Sequence, residues 1–251
     1  MKARAKIQAL LDTKTLPAEG EKLFLNILQN KKEVLPGWTP SFLQKLGNIN
    51  TVIDIGVLEG TPSLYKAFPG AKLYLIEPLP MYEAACKDIV RKHAGGGELF
   101  VCAAGAEDGS AEINYYPELP AQSSLLSSVI LAQRETKVEI KQVTIPVKRL
   151  DTLFANVKLK GDVLLKIDTE GFEFKIIQGA TETLKQIKYC ITETSVRHRH
   201  KDSYRFADLV ALMKSNGFDL YDVLTVTRPA ADTPEASIID AVFINSAMVS
   251  K

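Results

Sequence analysis

The hydrophobic pattern divides the chain into a helical lead and a longer part in which strands and helices alternate. Apolar residues at helical spacing between positions 23 and 28 predict a helix in the lead. From residue 51 onward, short runs rich in Val, Ile and Leu are separated by amphipathic segments. The pattern predicts an N-terminal helical extension over residues 1–50 and a single α/β domain over residues 51–251.

Short apolar runs are predicted as the strands of one sheet. They comprise residues 51–56, 72–78, 98–105, 162–168, 189–195, 218–227 and 238–245. The runs that precede helices are apolar over nearly their whole length, which is typical of parallel strands covered on both faces. The pattern therefore favours an α/β fold with a mostly parallel, doubly wound sheet.

The middle of the chain departs from this rhythm. Residues 110–117 and 138–150 alternate apolar and polar positions, as half-exposed strands do. A polar loop at 120–128 separates these two runs. We expect an inserted antiparallel β segment at this point of the sheet.

Composition and charge exclude several classes of protein. The chain has 251 residues, of which 46% are hydrophobic, and its net charge of +1 lacks the positive surplus that nucleic-acid binding needs. There is no apolar run of about 18 residues that would span a membrane. Neither nucleic acid nor a membrane is an expected partner.

The cysteines and the first residues bear on the compartment. Cys86, Cys102 and Cys190 are widely spaced and form no C-x-x-C pair. The first residues carry basic side chains but no convincing secretory signal. Both observations favour a reducing, cytoplasmic setting.

The turn after the first predicted strand carries an acid and two glycines. Residues 54–60 read Asp-Ile-Gly-Val-Leu-Glu-Gly. Glu77 ends the second strand, and its separation from this turn is close to the offset of about 20 residues at which an acid binds a ribose. The turn is either a simple connection that binds nothing or part of a nucleoside site. A dinucleotide is disfavoured because Leu58 replaces the second glycine of G-x-G-x-x-G.

The most specific segment is residues 164–173, Leu-Leu-Lys-Ile-Asp-Thr-Glu-Gly-Phe-Glu. Free N–H groups and the helix dipole favour acids where a helix begins, so a capping role is one interpretation. It accounts for one acid more easily than for three acids with an embedded lysine. The segment therefore indicates a functional site at the end of a strand.

This segment resembles the hallmark of the FkbM family of methyltransferases, and Gly179-Ala180 follows it as in that family. Further matching segments occur in the expected order: VIDIG with Gly60, IEP (76–78), CAAG (102–105), SSL (123–125), VKRLDTL (147–153) and ITETS (191–195). The turn after the first strand is similar to the first motif of class I S-adenosylmethionine-dependent methyltransferases. The resemblance implies a Rossmann-like sheet, S-adenosylmethionine as methyl donor, and an oxygen atom of a small molecule or carbohydrate as acceptor.

The resemblance also implies which residues bind the cofactor. They are Asp54, Gly56, Leu58 and Gly60 at the methionine end, Glu77 at the ribose, Pro78, Cys102, Ala103 and Ala104 around the adenine, and Asp168 beneath the sulfonium and the acceptor. This chain has Leu58 where family members often have asparagine.

Methyl transfer to a hydroxyl requires positioning and a proton acceptor. Asp168 is the favoured base, with Glu170 and Glu193 as alternates, because partial desolvation raises the pKa of a carboxyl toward neutrality. No metal is predicted. A divalent ion held by these three acids is the alternative left open.

Three further features have two interpretations each. The basic run at 197–201 is either a solvated loop, or a site where Arg197 or Arg199 holds an anionic acceptor and His198 or His200 takes the proton. Ser123 and Ser124 either bind substrate or form a flexible turn. Trp38 either packs the lead over the site or belongs to the core.

Two other functions compete with a methyltransferase. The first is a nucleotide-binding oxidoreductase of the same architecture. The second is a non-catalytic domain that keeps the fold. This function stays open because residues 56–60 depart from the turn that is usual in the family.

Overall fold

The computed structural model describes residues 35, 37–128, 139–196, 199–228 and 236–249. The helical pattern at positions 23–28 lies outside these ranges, as do Arg197 and His198. The described strands are β1 (Ile49–Ile55), β2 (Lys72–Ile76), β3 (Gly97–Phe100), β4 (Ala103–Ala104), β5 (Gly109–Tyr115), β6 (Lys141–Lys148), β7 (Asp162–Ile167), β8 (Tyr189–Ser195), β9 (Phe218–Thr227) and β10 (Ile238–Asn245). The described α-helices are α1 (Pro40–Leu43), α2 (Pro62–Ala67), α3 (Glu83–Lys92), α4 (Leu150–Leu153), α5 (Glu173–Gln178) and α6 (Phe206–Ser215).

Seven strands form the central sheet in the order β3-β2-β1-β7-β8-β10-β9. Neighbouring strands are parallel from β3 to β8, and β10 runs antiparallel to both β8 and β9. The predicted mostly parallel, Rossmann-like sheet is therefore confirmed. The chain order reverses between β1 and β7, and in open α/β sheets ligands bind at such a point.

The inserted β segment forms a separate sheet in the order β4-β6-β5. Strands β5 and β6 are antiparallel, as predicted, whereas β4 pairs with β6 in parallel. The run predicted as one strand over 98–105 is divided, because the chain leaves β2 after Phe100 and then pairs with β6. This division places residues 101–104 beside the carboxyl end of β2.

Successive residues of the central strands contact two different cores, as the two-residue period of a strand requires. In β1, Ile53 and Ile55 pack into one core, while Val52 packs into the core on the opposite face. The second core also contains Leu43 and Leu46, which join the described end of the lead to the sheet.

The described end of the lead is fixed at the carboxyl edge of the sheet. Thr39 caps α1 by accepting the Phe42 N–H at 3.3 Å, and Pro40 occupies the first turn. The Gly37 N–H donates to the Leu224 carbonyl, and the Trp38 indole N–H donates to Asp240 at 2.9 Å. Trp38 thus joins the lead to β10, while the domain boundary at residue 50 stays a prediction.

None of the helices within the described ranges combines the length and apolar character needed to cross a membrane.

Candidate active site

A cavity lies at the carboxyl ends of β1, β2, β7 and β8 and is bounded on one side by the loop at 120–125. Many of the residues proposed from sequence line it: Gly56, Leu58, Glu77, Pro78, Cys102, Ala103, Ala104, Asp168, Glu170 and Glu193. The structure thus brings these positions together, while their individual roles stay predictions.

Asp54 and Gly60 lie behind the cavity wall rather than in it. Asp54 is fully buried, and its Oδ2 accepts hydrogen bonds from the Thr61 hydroxyl at 2.8 Å and the Tyr65 hydroxyl at 2.5 Å. Gly60 has φ +103°, and a Cβ there would lie 2.8 Å from Ile89 on α3. Both residues therefore shape the turn from within the protein.

Thr61 and Tyr65 were not among the candidates from sequence. The only available signal was that α2 begins shortly after Asp54, which brings its first turn back toward that carboxyl.

Gly56 is required because two strand ends meet at this residue. Its φ is +76°, and a Cβ built on it would lie 1.8 Å from the carbonyl oxygen of Asp168. The Asp168 N–H in turn donates to the Ile55 carbonyl. The glycine thus permits the ends of β1 and β7 to touch.

Glu77 holds the turn after β1 through its carboxylate. Its Oε2 accepts the N–H groups of Val57 at 3.0 Å and Leu58 at 2.8 Å, and its Oε1 accepts the Leu79 N–H at 2.9 Å. Burial raises the pKa of Glu77, although these three hydrogen bonds oppose the shift. The N–H groups that would face a phosphate in a dinucleotide site are therefore already bound.

Lys166 interacts with three groups at the carboxyl edge of the sheet. Its side chain is 5% exposed, and its Nζ lies 3.1 Å from Asp54 Oδ1 and 3.5 Å from Asp168 Oδ2. It also donates to the Gly56 carbonyl at 3.0 Å. Burial lowers the pKa of Lys166, but the two carboxyls outweigh burial, so the net pKa is raised. Lys166 remains charged and binds the ends of β1 and β7 together.

Glu173 begins α5 and binds the loop that precedes this helix, whereas no side chain caps the helix itself. Its Oε1 accepts the N–H groups of Thr169 and Gly171, each at 3.0 Å, and its Oε2 accepts the Tyr204 hydroxyl at 2.6 Å. Burial raises the pKa of this carboxyl. These contacts fix the loop between β7 and α5, in which Glu170 adopts a left-handed φ of +53°.

Arg199 is buried between two acids of the site. Its Nη2 lies 2.9 Å from Glu170 Oε2, and its Nη1 lies 3.5 Å from Glu193 Oε2. Burial is the main cause that raises the pKa of both carboxyls. The solvated-loop interpretation is therefore wrong for Arg199, since its guanidinium is occupied within the protein.

His200 is also buried, and it packs against Gly171. Burial, followed by the charge of Arg199, lowers the pKa of His200 to about 4, so the imidazole is neutral at physiological pH. His198, proposed as a proton acceptor, lies outside the described residues.

Ser124 connects the loop at 120–125 to the segment after β7. Its hydroxyl donates to the Glu170 carbonyl at 2.8 Å and accepts the Leu126 N–H at 3.0 Å. Ser123 and Ser124 both line the cavity. The loop wall is thus anchored at Ser124, which argues against a merely flexible turn.

Metal binding finds no support in the described part of the chain. Within it, no three His, Cys, Asp or Glu side chains are grouped as metal ligands. Arg199 interacts with two of the three acids that the metal hypothesis requires.

The described charged side chains that line the cavity are all of one sign. Among the described residues that line it, every charged side chain is a carboxylic acid: Glu77, Asp168, Glu170 and Glu193. The remaining wall is largely apolar. Such a lining suits a cationic ligand with an apolar ring system and opposes a pyrophosphate. S-adenosylmethionine fits this description, because its sulfonium is positive and its adenine is flat.

The raised pKa values predict that stability falls as pH rises above neutrality. The unfolded chain loses the protons of Glu77, Glu170, Glu173 and Glu193 at lower pH than the folded chain does, so folding becomes less favourable as these groups ionise. His200 costs stability only below its ordinary pKa of 6.5. We therefore expect the Tm to decrease from pH 6.5 to about 9, measured by calorimetry. An increase across that range would contradict the burial of these carboxyls.

A ligand cavity at the reversal of strand order defines this chain as a Rossmann-like α/β protein of the cofactor-binding class. Residues 54–220 match the methyltransferase FkbM domain, which is more than half of the chain. The chain therefore belongs to the FkbM family of methyltransferases, as the motif resemblance implied. It is an S-adenosylmethionine-dependent methyltransferase.

Similar proteins carry methyltransferase names. "Methyltransferase 1" of Beauveria bassiana (strain ARSEF 2860) is 25% identical over 198 residues, covering 73% of this chain and 76% of that protein. "Methyltransferase sdnD" of Sordaria araneosa is 25% identical over 195 residues, covering 67% and 73%. Among solved structures, magnesium protoporphyrin IX methyltransferase from Synechocystis PCC 6803 with bound SAM aligns with a TM-score of 0.45 at 14% identity, over 82% of this chain and 76% of that chain.

Proposed function

We propose that this methyltransferase methylates a hydroxyl oxygen of a small molecule or carbohydrate. The observation that carries the proposal is the cavity at the carboxyl edge, whose charged lining consists of carboxylic acids alone among the described residues. Bound S-adenosylmethionine supplies an electrophilic methyl group on a positively charged sulfur. The protein's own residues bind and orient the two reactants and accept a proton.

Residues after β1, β2 and β3 are proposed to hold the cofactor. A carboxylate offers about four acceptor positions, and Glu77 uses three for backbone N–H groups, which leaves one for a ribose hydroxyl. Pro78 and residues 102–104 provide an apolar wall for the adenine. Gly56 and Leu58 then border the methionine end.

Residues at the carboxyl ends of β7 and β8 are proposed to act on the acceptor. The Asp168 side chain is 43% exposed and lines the cavity, as does Glu193. A carboxylate in this position attracts the sulfonium and accepts the proton of the acceptor hydroxyl. Glu170 is less suited to this role, because it faces Arg199 at 2.9 Å.

The same geometry argues against the two competing functions. An oxidoreductase that uses a dinucleotide needs free N–H groups at the turn, yet Glu77 binds those of Val57 and Leu58. A non-catalytic domain gives no reason to place Asp168 and Glu193 together in an open cavity.

The buried, unpaired thiols of Cys86, Cys102 and Cys190 support the cytoplasmic setting proposed from sequence.

The cofactor assignment is tested by ligand-dependent stability. We expect S-adenosylhomocysteine to raise the Tm in a saturable manner and NAD to leave it unchanged, because only the former lacks a pyrophosphate. Glu77→Ala is expected to weaken S-adenosylhomocysteine binding at least about tenfold, which is about 1.4 kcal/mol. Isothermal calorimetry measures this loss.

Two matched variants sharpen this result. Glu98→Ala removes an exposed acid on the adjacent strand β3 and is expected to bind like the unmodified protein. Asp168→Asn is expected to keep S-adenosylhomocysteine affinity within about threefold while turnover falls. Stabilisation by NAD alone, or normal binding by Glu77→Ala, would refute the assignment.

A further inference from the structure

The guanidinium of Arg199 interacts with two carboxyls in the wall of the cavity, and it lies closer to one than to the other. Arg199 lies 2.9 Å from the Glu170 carboxyl but 3.5 Å from that of Glu193. The Glu193 side chain is 21% exposed, compared with 12% for Glu170, and both line the cavity. Arg199 is therefore mainly the counterion of Glu170, and Glu193 is the more accessible carboxyl of the two.

Other acids surround Glu193 on several elements. Asp240 on β10 lies directly opposite it in the antiparallel pair, so the two side chains share one face of the sheet. Asp168 and Glu170 approach from the segment after β7, and Glu173 approaches from α5.

Two described cations counter these acids, and both are already engaged. Lys166 interacts with Asp54 and Asp168, while Arg199 faces Glu170 and Glu193. Like charges at this density oppose the ionisation of Glu193. At least one carboxyl therefore keeps a proton near neutral pH.

We propose that Arg199 is a positioning residue that keeps Glu170 charged and leaves Glu193 as the carboxyl that carries a proton until a cation enters the cavity. This inference rests on the proposed function, in which that cation is the sulfonium. When the cation binds, the Glu193 O–H bond breaks and the proton passes to the solvent. The resulting carboxylate then takes the acceptor's hydroxyl proton while the methyl group moves from the sulfonium to the acceptor oxygen. The methyl–sulfur bond breaks, the new C–O bond forms, and the O–H bond of Glu193 is restored.

The electrostatics agree with this division of roles. Burial raises the pKa of both carboxyls, and at Glu170 the charge of Arg199 is the largest opposing influence. At Glu193, the neighbouring carboxyls of Asp168 and Glu170 raise the pKa further, and Arg199 opposes them only weakly. Glu193 thus binds its proton more tightly than Glu170 does.

Proton release on cofactor binding tests the inference without any acceptor. S-adenosylmethionine and S-adenosylhomocysteine share their nucleoside and amino-acid parts and differ in the sulfonium charge. Calorimetry near neutral pH, in buffers of different ionisation enthalpy, counts the protons released by each. We expect S-adenosylmethionine to release up to about one proton per site and S-adenosylhomocysteine clearly fewer.

Variants assign the proton to a residue. Glu193→Gln is expected to bind both ligands and to lose the difference in proton release, whereas Asp240→Asn, which removes the opposite carboxyl, keeps that difference. Arg199→Lys presents one point charge where the guanidinium contacts two carboxyls. In the double variant Arg199→Lys/Glu193→Gln, proton release is expected to return, because Glu170 then carries the proton.

The outcomes separate this inference from the proposed function. Binding heats that do not depend on the buffer, or full proton release by Glu193→Gln alone, would overturn the role of Glu193. No return of proton release in the double variant would overturn the role of Arg199. If neither ligand binds to the unmodified protein, the cofactor assignment itself fails.

Discussion

Replacing Lys166 with methionine is expected to lower the free energy of unfolding by about 3–5 kcal/mol near neutral pH. The substitution removes the cation that lies 3.1 Å from the fully buried Asp54 carboxyl and 3.5 Å from Asp168. The Asp54 carboxyl is then left in the interior without its cationic partner, and this accounts for most of the loss. Asp168 contributes less, because it is partly exposed to solvent. Urea denaturation followed by circular dichroism measures the change.

Two companion variants identify the cause of that loss. Lys185→Met breaks an exposed ion pair with Glu182 and is expected to change stability by less than about 1 kcal/mol. Asp54→Asn combined with Lys166→Met removes the buried charge together with its partner, so the double variant is expected to recover part of the stability. If the double variant is no more stable than Lys166→Met alone, loss of packing rather than charge explains the effect.

Replacing Gly56 with alanine is expected to destabilise the protein by about 3 kcal/mol or more and to abolish S-adenosylhomocysteine binding. The new Cβ would lie 1.8 Å from the Asp168 carbonyl oxygen, and the residue would have to keep a φ of +76°. The clash is with backbone, so no side-chain rotation relieves it, and the ends of β1 and β7 must separate. Denaturant unfolding and calorimetric titration measure the two effects.

Gly70→Ala provides the matched control for this substitution. A Cβ at Gly70 would meet nothing within 4 Å, and its φ lies outside the positive range. This variant is expected to unfold and bind like the unmodified protein. A Gly56→Ala protein that binds S-adenosylhomocysteine normally would show that the two strand ends tolerate separation.

The order and type of most described elements could be predicted from the hydrophobic pattern. Strand β8 occupies residues 189–195 as predicted, because both faces of a central strand are buried and the apolar run has clear limits. The run at 98–105 could not be divided correctly from sequence. It is apolar from Leu99 to Ala104, and its break depends on pairing of β4 with β6, about 40 residues further along the chain.

The site was predictable as a set of positions but less so as a set of roles. Asp54 and Asp168 look alike in sequence, since each is an acid near a strand end. One is buried beneath Tyr65 and Lys166, and the other faces the cavity. Arg199 looked like part of a solvated basic run, and only the folded chain brings it between Glu170 and Glu193. Partners distant in sequence decide each of these roles.

The position of Trp38 gives this edge of the sheet a natural optical signal. Trp38 is the sole tryptophan of the chain, and its indole N–H donates to Asp240, the residue opposite Glu193. Indole emission responds to the charge and hydration of groups that bind its N–H. The tryptophan fluorescence of the unlabelled protein therefore originates next to the strand ends that border the cavity, and we expect it to report ligand binding there without an attached dye.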